Sequence, residues 1–313
     1  MISRTTDSTS DPDARRLLII DALDMDDMDA IDIILSGLSD SSPKVREEAA
    51  KAIGDFPGEH MIEPLLLLLD DPDEAVRKAA SNTLADCNQV KLLDYLDEYL
   101  KDKSSFVRSS ILRAVKPLKN NRSAEYALKG LLDSSEAVRI ESIGILGYLK
   151  NPDYISSLAT IAVSDNSPNV RRVAMGALGY SSSEVACSAL VDGLGDISWQ
   201  VRAESAATIG KIKAPSHVCN KLIELLENDE YWQVIVKVLA TIGAIRCISS
   251  VNVVSAFLLH QEPNVRKEAA GCLGELGDQS ALAALEAALH DRDPDVRKIA
   301  AFAIAKLDRS FGV

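Results

Sequence analysis

A valine followed by an arginine recurs along the chain at a nearly constant interval of 31 to 33 residues. The pairs are Val45-Arg46, Val76-Arg77, Val107-Arg108, Val138-Arg139, Val170-Arg171, Val201-Arg202, Val265-Arg266 and Val296-Arg297. Val234-Ile235 fills the remaining gap, and Ala14-Arg15 extends the series towards the amino terminus. A period of this length is typical of helix-pair arrays, in which each repeat buries its apolar face only against its neighbours. The 313 residues therefore need not form the two globular domains that this length would otherwise suggest.

Each repeat predicts two helices. In the second full repeat, a first helix is expected at about residues 61–69 and a second at about 74–85, after an Asp-Pro pair that favours a helix start. Positions 0, +4 and +8 of the second helix, counted from the valine, are small or aliphatic and form one apolar stripe. Six repeats carry a glycine at position +9, where we expect a left-handed residue to end the helix: Gly54, Gly147, Gly179, Gly210, Gly243 and Gly274.

The pattern D-x-D-P-x-V-R-x-x-A-x-x-x-L-G, matched well by DRDPDVRKIAAFAIAKL at 291–307, resembles the HEAT repeats of the phycobilisome-lyase type. The resemblance covers about residues 11–308. It implies an all-α, armadillo-like fold, a right-handed α-α superhelix of about nine and a half two-helix repeats. We expect a flexible polar tail at 1–10 and a single solenoid over 11–313, with a half repeat at 11–23 and nine repeats to about 308.

Aspartate stands five residues before the valine in every full repeat except the eighth, which has His260, and arginine follows the valine in all but the seventh, which has Ile235. The resemblance implies that these side chains pair between adjacent repeats. The two exceptions fall in neighbouring repeats, and losing both partners is less costly than orphaning one buried charge. The arginine of one repeat should therefore meet the aspartate of the next, as Arg171 with Asp196, and Ile235 should face His260. We interpret this ladder as architecture and not as an active site.

No motif predicts catalysis. None of the four histidines is followed by glutamate, so the paired His-Glu dipeptides that hold the di-iron centre of deoxyhypusine hydroxylase, a HEAT enzyme, are missing. Zinc-ligand spacings, a phosphate loop and a nucleophile elbow are missing too. We expect no catalytic residue, no metal and no cofactor. The five cysteines are expected to be reduced, buried side chains of a cytoplasmic protein. The sequence has no apolar run long enough to span a membrane, and because its first residues lack the basic and apolar regions of a secretion signal, we do not expect one.

The acidity of the chain is concentrated at its amino-terminal end. Residues 1–75 hold 6 basic and 19 acidic residues, a net charge of −13, which equals the charge of the whole chain. A nucleic-acid partner is excluded because binding one requires a basic surface. The acidic run could be a solvated cap of the array, or a docking surface for a basic partner. The candidate docking residues are Asp24, Asp26, Asp27, Asp29 and Asp32.

Two other surfaces are candidates for binding a partner protein. The only tryptophans stand two residues before the valines of repeats six and seven, with Tyr231 and two ladder irregularities close by: Trp199, Trp232, Ile235 and His260. They could be interface anchors or could pack against neighbouring repeats. Positions +2 and +6 of the second helices become small or apolar in the middle repeats, as in Ile140, Ala203 and Val236. These residues could line an exposed concave strip or be buried by tight curvature.

The sequence thus predicts a non-catalytic scaffold or adaptor that holds a partner protein. One specific form of this hypothesis is a neutraliser or chaperone of a basic protein, of the immunity-protein type. The alternative, from the resemblance, is a bilin-lyase-like protein that handles the chromophore of phycobiliproteins.

Overall fold

The computed structural model describes residues 10–101, 104–212 and 218–309, and all regular secondary structure in these ranges is helical. Apart from Ser10, the predicted flexible tail at 1–10 lies outside the described residues. The contacts divide the chain into two compact units, Met1–Leu149 and Lys150–Val313. Within the described ranges, none of the helices is both long and apolar enough to cross a membrane. One continuous array over 11–313 stays a prediction.

The first unit consists of alternating first and second helices of the repeats. The helix pair expected at 61–69 and 74–85 is confirmed, at Ile62–Leu68 and Glu74–Asp86. Consecutive second helices, which carry the valines, pack on one another along the unit. The α-helices are α1 Pro12–Ala22, α2 Asp27–Gly37, α3 Pro43–Ala52, α4 Ile62–Leu68, α5 Glu74–Asp86, α6 Leu96–Tyr99, α7 Ser105–Val115, α8 Arg122–Gly130 and α9 Glu136–Leu149.

The second unit follows the same plan. Its second helices, α11, α13, α15, α17 and α19, also pack in series. The α-helices are α10 Ile155–Ser164, α11 Pro168–Ala177, α12 Glu184–Gly193, α13 Trp199–Ile209, α14 Val218–Asn228, α15 Trp232–Ala244, α16 Val251–Ala256, α17 Pro263–Leu276, α18 Leu282–Ala288 and α19 Pro294–Arg309.

The predicted apolar stripe forms the core. Positions 0, +4 and +8 are buried in all nine full repeats, with Ile304 of the last repeat, which is half-buried, as the exception. Full burial of one such aliphatic side chain contributes about 1.5–3 kcal/mol. A single helix pair cannot cover its own stripe, so stacking of the repeats stabilises each one.

The glycines at position +9 have a different function from the one expected. Gly277 is the one glycine with a positive φ in the described ranges, so the prediction that the +9 glycines are left-handed is wrong. Five of the six instead lie against position +7 of the next second helix: Gly54, Gly179, Gly210, Gly243 and Gly274. A Cβ on Gly274 would come within 2.9 Å of the Ala303 backbone, and one on Gly210 would lie 3.1 Å from the Thr241 hydroxyl. The missing side chain therefore allows consecutive second helices to approach closely.

The cysteines also depart from expectation. Cys219, near the start of α14, forms a disulfide with Cys247, which follows α15, and their Cα atoms are 5.8 Å apart. The expectation that all five cysteines are reduced is wrong for this pair. Cys187 and Cys272 are free and buried as expected, and burial raises the pKa of Cys272 to about 12. Burial also raises the pKa of Cys187, and because the thiolate is the reactive form, both thiols are less reactive than an exposed cysteine.

Candidate partner-binding surfaces

The arginine–aspartate ladder forms between repeats, as predicted. Arg171 pairs with Asp196 at 2.7 Å and Arg202 pairs with Asp229 at 2.6 Å, each through Nε and Nη2 to the two carboxylate oxygens. Other rungs are Arg15–Asp40, Arg46–Asp71, Arg108–Asp133 and Arg266–Asp291. The hydrogen bonds from Arg15 hold the pKa of the Asp40 carboxyl below its usual value.

Most arginines of the series also bind the loop of their own repeat. Nη1 of Arg202 donates to the backbone carbonyls of Asp196 at 2.8 Å and Ile197 at 3.3 Å. The aspartate in turn accepts the backbone N–H two residues later, as Asp229 does from Tyr231 at 2.9 Å. These side chains therefore hold consecutive repeats in register, and their charges are paired with one another within the fold.

The break in the ladder falls on Ile235 and His260, which stand where other repeats have arginine and aspartate. Ile235 is 4% exposed and lies in the core, so its prediction as a partner contact is wrong: an aliphatic side chain here is covered by its own repeats. His260 is half-buried and stacks on Phe257. Its Nδ1 accepts the backbone N–H of Glu262 at 3.0 Å, the same local bond that the aspartates make. His260 thus keeps the loop geometry without a carboxylate, and direct contact between Ile235 and His260 stays a prediction.

The tryptophan edge of repeats six and seven contains both packed and exposed side chains. The half-buried Trp199 stacks on Tyr231, with ring centroids 5.7 Å apart, and the Arg202 guanidinium lies 5.7 Å from the Tyr231 centroid. Tyr231 is 46% exposed and Trp232 is 38% exposed. Trp199 therefore packs against a neighbouring repeat, whereas Tyr231 and Trp232 present apolar surface to solvent. A function as interface anchors stays a prediction for Tyr231 and Trp232.

The sequence analysis missed an exposed apolar residue beside this edge. Ile197 is 94% exposed, although it is a large aliphatic side chain. It stands four residues before its valine, where the described equivalents are polar or proline, as in Ser41, Ser134 and Gln261. This deviation from the repeat pattern could have identified Ile197 as an unusual residue from the sequence alone.

A set of hollows lies on the first-helix side of the second unit. A hollow of about 740 Å³ is lined by residues of α12, α14 and the loops that follow them, including Asp192, Glu224 and Tyr231. Hollows of about 500 and 350 Å³ adjoin it, and Asp192 lines all three. None of the +2 and +6 residues of the second helices, which were the predicted concave surface, lines these three hollows.

The other two predicted surfaces are partly accessible. Ile140, Ala203 and Val236 are each half-buried. They therefore form neither a fully exposed strip nor a buried one, the two outcomes considered from the sequence. The acidic run spans the turn after α1 and the first half of α2. Its exposed side chains have no ion-pair partner among the residues described: Asp24, Asp26, Asp29 and Asp32. The side chain of Asp27 lies outside the described part. Both surfaces stay candidates.

Stacked helix pairs with a buried valine stripe and an inter-repeat ladder define the class of α-helical repeat arrays. Models of HEAT repeats match residues 4–74, 62–139, 124–210 and 219–305, so the chain belongs to the HEAT-repeat family. No curated protein sequence matches the chain. In the residues described, no group of three or more histidine, cysteine or acidic side chains is arranged to hold a metal ion.

Two solved structures, Kap95p and YibA, share the fold of this chain at low sequence identity. Kap95p, from a complex with RanGDP, has a TM-score of 0.67 at 14% identity over 96% of this chain and 50% of that chain. E. coli YibA has a TM-score of 0.54 at 20% identity over 96% and 98%. CpcE and CpcF of the phycocyanin lyase from Nostoc sp. PCC7120 give a TM-score of 0.46 at 22% identity over 59% and 76%.

Proposed function

We propose that this HEAT-repeat protein holds a partner protein through the exposed edge of repeats six and seven, without catalysing a reaction. The observation that carries the proposal is the exposure of Ile197, Tyr231 and Trp232 next to one another in the repeat series. Exposed apolar side chains grouped in this way mark interaction sites, and tyrosine and tryptophan are preferred anchors of interfaces.

The ladder supports a scaffold function in a second way. Its arginines and aspartates pair with each other between repeats, so they stabilise the array and are not available for acid–base chemistry. The rigid stack then presents loop residues at fixed spacings, which lowers the entropy cost of binding. Charged groups that remain exposed, such as the acidic run at 21–32, are free to steer an approaching partner.

The specific form of the proposal is a neutraliser or chaperone of a basic protein, as an immunity protein is for its toxin. The net charge of −13 on this chain supports this form, because attraction between opposite charges accelerates association with a basic protein. The bilin-lyase-like alternative rests on the repeat pattern alone. Absorbance titration with a free tetrapyrrole tests it directly, since a bound bilin shifts its visible spectrum.

A cytoplasmic location belongs to the same proposal, and the Cys219–Cys247 disulfide weighs against it. Reducing compartments keep such thiols reduced. Fractionation of native cells, with trapping of free thiols before lysis, would show which compartment holds the protein and whether this pair is oxidised there.

The test is capture of a partner from native lysate by the wild-type protein and by Trp232→Ala, with quantitative mass spectrometry. The matched control is Leu67→Ala, which removes an apolar side chain of the first unit that is 66% exposed. We expect Trp232→Ala to lower the affinity of the purified partner by about 2 kcal/mol, roughly thirtyfold, with an unchanged melting temperature. Equal binding by all three proteins would refute the proposed surface.

A further inference from the structure

The three hollows around Asp192 form one groove across the first-helix side of α10, α12 and α14. The two smaller hollows share Val163 and Asp192, and the 350 and 740 Å³ hollows share Asp192, Gly195 and Asp196. The shared lining makes the groove continuous, with Asp192 at its centre. We call it the Asp192 groove.

The lining of this groove carries an excess of negative charge. Six carboxylates line it against three cations, and the cations Arg171, Arg202 and Lys221 are each paired with a carboxylate. Three carboxylates have no ion-pair partner among the described residues: Glu184, Asp192 and Glu230. An anionic ligand would be repelled here, whereas a cationic one would be attracted.

The unpaired carboxylates do not form a metal site. No cluster of three or more metal-ligating side chains occurs in the part of the chain that the structure describes. The carboxylates are instead distributed along the groove between apolar side chains. Val163, Val185, Ile197 and Tyr231 are all exposed at its margins. This alternation matches a ligand that carries both long cationic and apolar groups.

We propose that the Asp192 groove binds a segment of a partner protein in which lysine or arginine is flanked by apolar side chains. The cationic head pairs with Asp192, and the apolar neighbours cover Ile197 and the exposed part of the Tyr231 side chain that Trp199 and Arg202 leave free. Lysine and arginine suit the groove because their aliphatic stems pack on apolar surface while the charge stays in water. This inference rests on the proposed protein-binding function and specifies the chemistry of the partner.

The experiment measures fluorescence anisotropy with a fluorescein-labelled pentapeptide in which leucine and arginine alternate. Control peptides replace arginine by glutamate, or leucine by serine. The wild-type protein should bind the leucine–arginine peptide more tightly than either control. Asp192→Lys should weaken that binding at least about tenfold, because the reversal turns an attraction into a repulsion. Glu286→Lys, which reverses an exposed carboxylate on α18 of the same unit, should change it less than about twofold.

Several outcomes would overturn the inference. Equal weakening by Asp192→Lys and Glu286→Lys would mean that the peptide responds only to net charge. If the serine–arginine peptide bound as tightly as the leucine–arginine peptide, or if spermidine displaced the latter completely, the apolar margin would play no part in binding. Circular dichroism confirms that each variant is folded.

The inference and the proposed function can fail separately. If a native partner needs Trp232 but not Asp192, the scaffold function stands and the groove is not its site. If the peptide needs Asp192 while no captured protein needs Trp232, the groove stands and the proposed edge does not.

Discussion

Replacing Arg202 by isoleucine should lower the free energy of unfolding more than replacing Arg202 and Asp229 together. The Asp229 side chain is 1% exposed, and it receives Nε of Arg202 at 2.6 Å and Nη2 at 3.1 Å. Arg202→Ile leaves this carboxylate with one backbone N–H, from Tyr231. An uncompensated buried charge of this kind destabilises by about 3–5 kcal/mol.

The double variant Arg202→Ile/Asp229→His copies the natural break at Ile235 and His260. An imidazole in place of Asp229 can accept the Tyr231 N–H, as His260 accepts that of Glu262 at 3.0 Å. Asp229→His alone should cost about 2 kcal/mol, since Arg202 keeps its bonds to two carbonyls. The double variant should therefore lose less than Arg202→Ile alone, with a coupling energy on the order of 2 kcal/mol or more.

Urea unfolding followed by tryptophan fluorescence suits this cycle, because both tryptophans, Trp199 and Trp232, lie in the repeats concerned. Circular dichroism at a helical wavelength provides the second probe. The control cycle uses the solvent-exposed pair Lys221–Glu224, where the coupling should stay below about 0.5 kcal/mol. If the two single costs simply add in the double variant, the account of the paired exceptions is wrong.

Three further predictions use the same kinds of measurement. Gly274→Ala should destabilise by about 1–3 kcal/mol in urea unfolding because its Cβ meets the Ala303 backbone, whereas Gly271→Ala, with no neighbour nearer than 3.7 Å, should stabilise by about 0.5–1 kcal/mol. The hydrogen bonds from Arg266 lower the pKa of Asp291 from its usual 3.8, so the resulting stability is present above that pH and lost as pH falls below it. Arg266→Met should make the urea midpoint less dependent on pH below about 4, and an unchanged dependence would contradict the assignment. Changing four aspartates of the acidic run to asparagine should slow association with the partner and flatten its salt dependence, while dissociation stays the same in stopped-flow measurements: Asp24, Asp26, Asp27 and Asp29.

The fold was predictable because the repeat is a local pattern copied along the chain. The buried valine stripe and the direction of the ladder followed from periodicity and from two paired exceptions, Ile235 and His260. The acidic end was readable from charge counts alone. The partner-binding surface was predicted only in outline, with Trp199, Tyr231 and Trp232 named but their exposure open.

Features that depend on how neighbouring repeats pack could not be read from the sequence. The glycines at +9 suggested helix ends, but only the stacked helices show that Gly274 makes room for Ala303. Cys219 and Cys247 are 28 residues apart in sequence, and the packing of α14 beside the end of α15 brings them together. Periodicity assigns a residue to one face of its own helix, which is enough to determine the repeat, the core stripe and the ladder. Whether another face is covered, hollow or exposed depends on the neighbouring helix, and so only the tertiary structure decided that Ile197 is exposed, that Ile235 is buried and that Asp192 lines a groove.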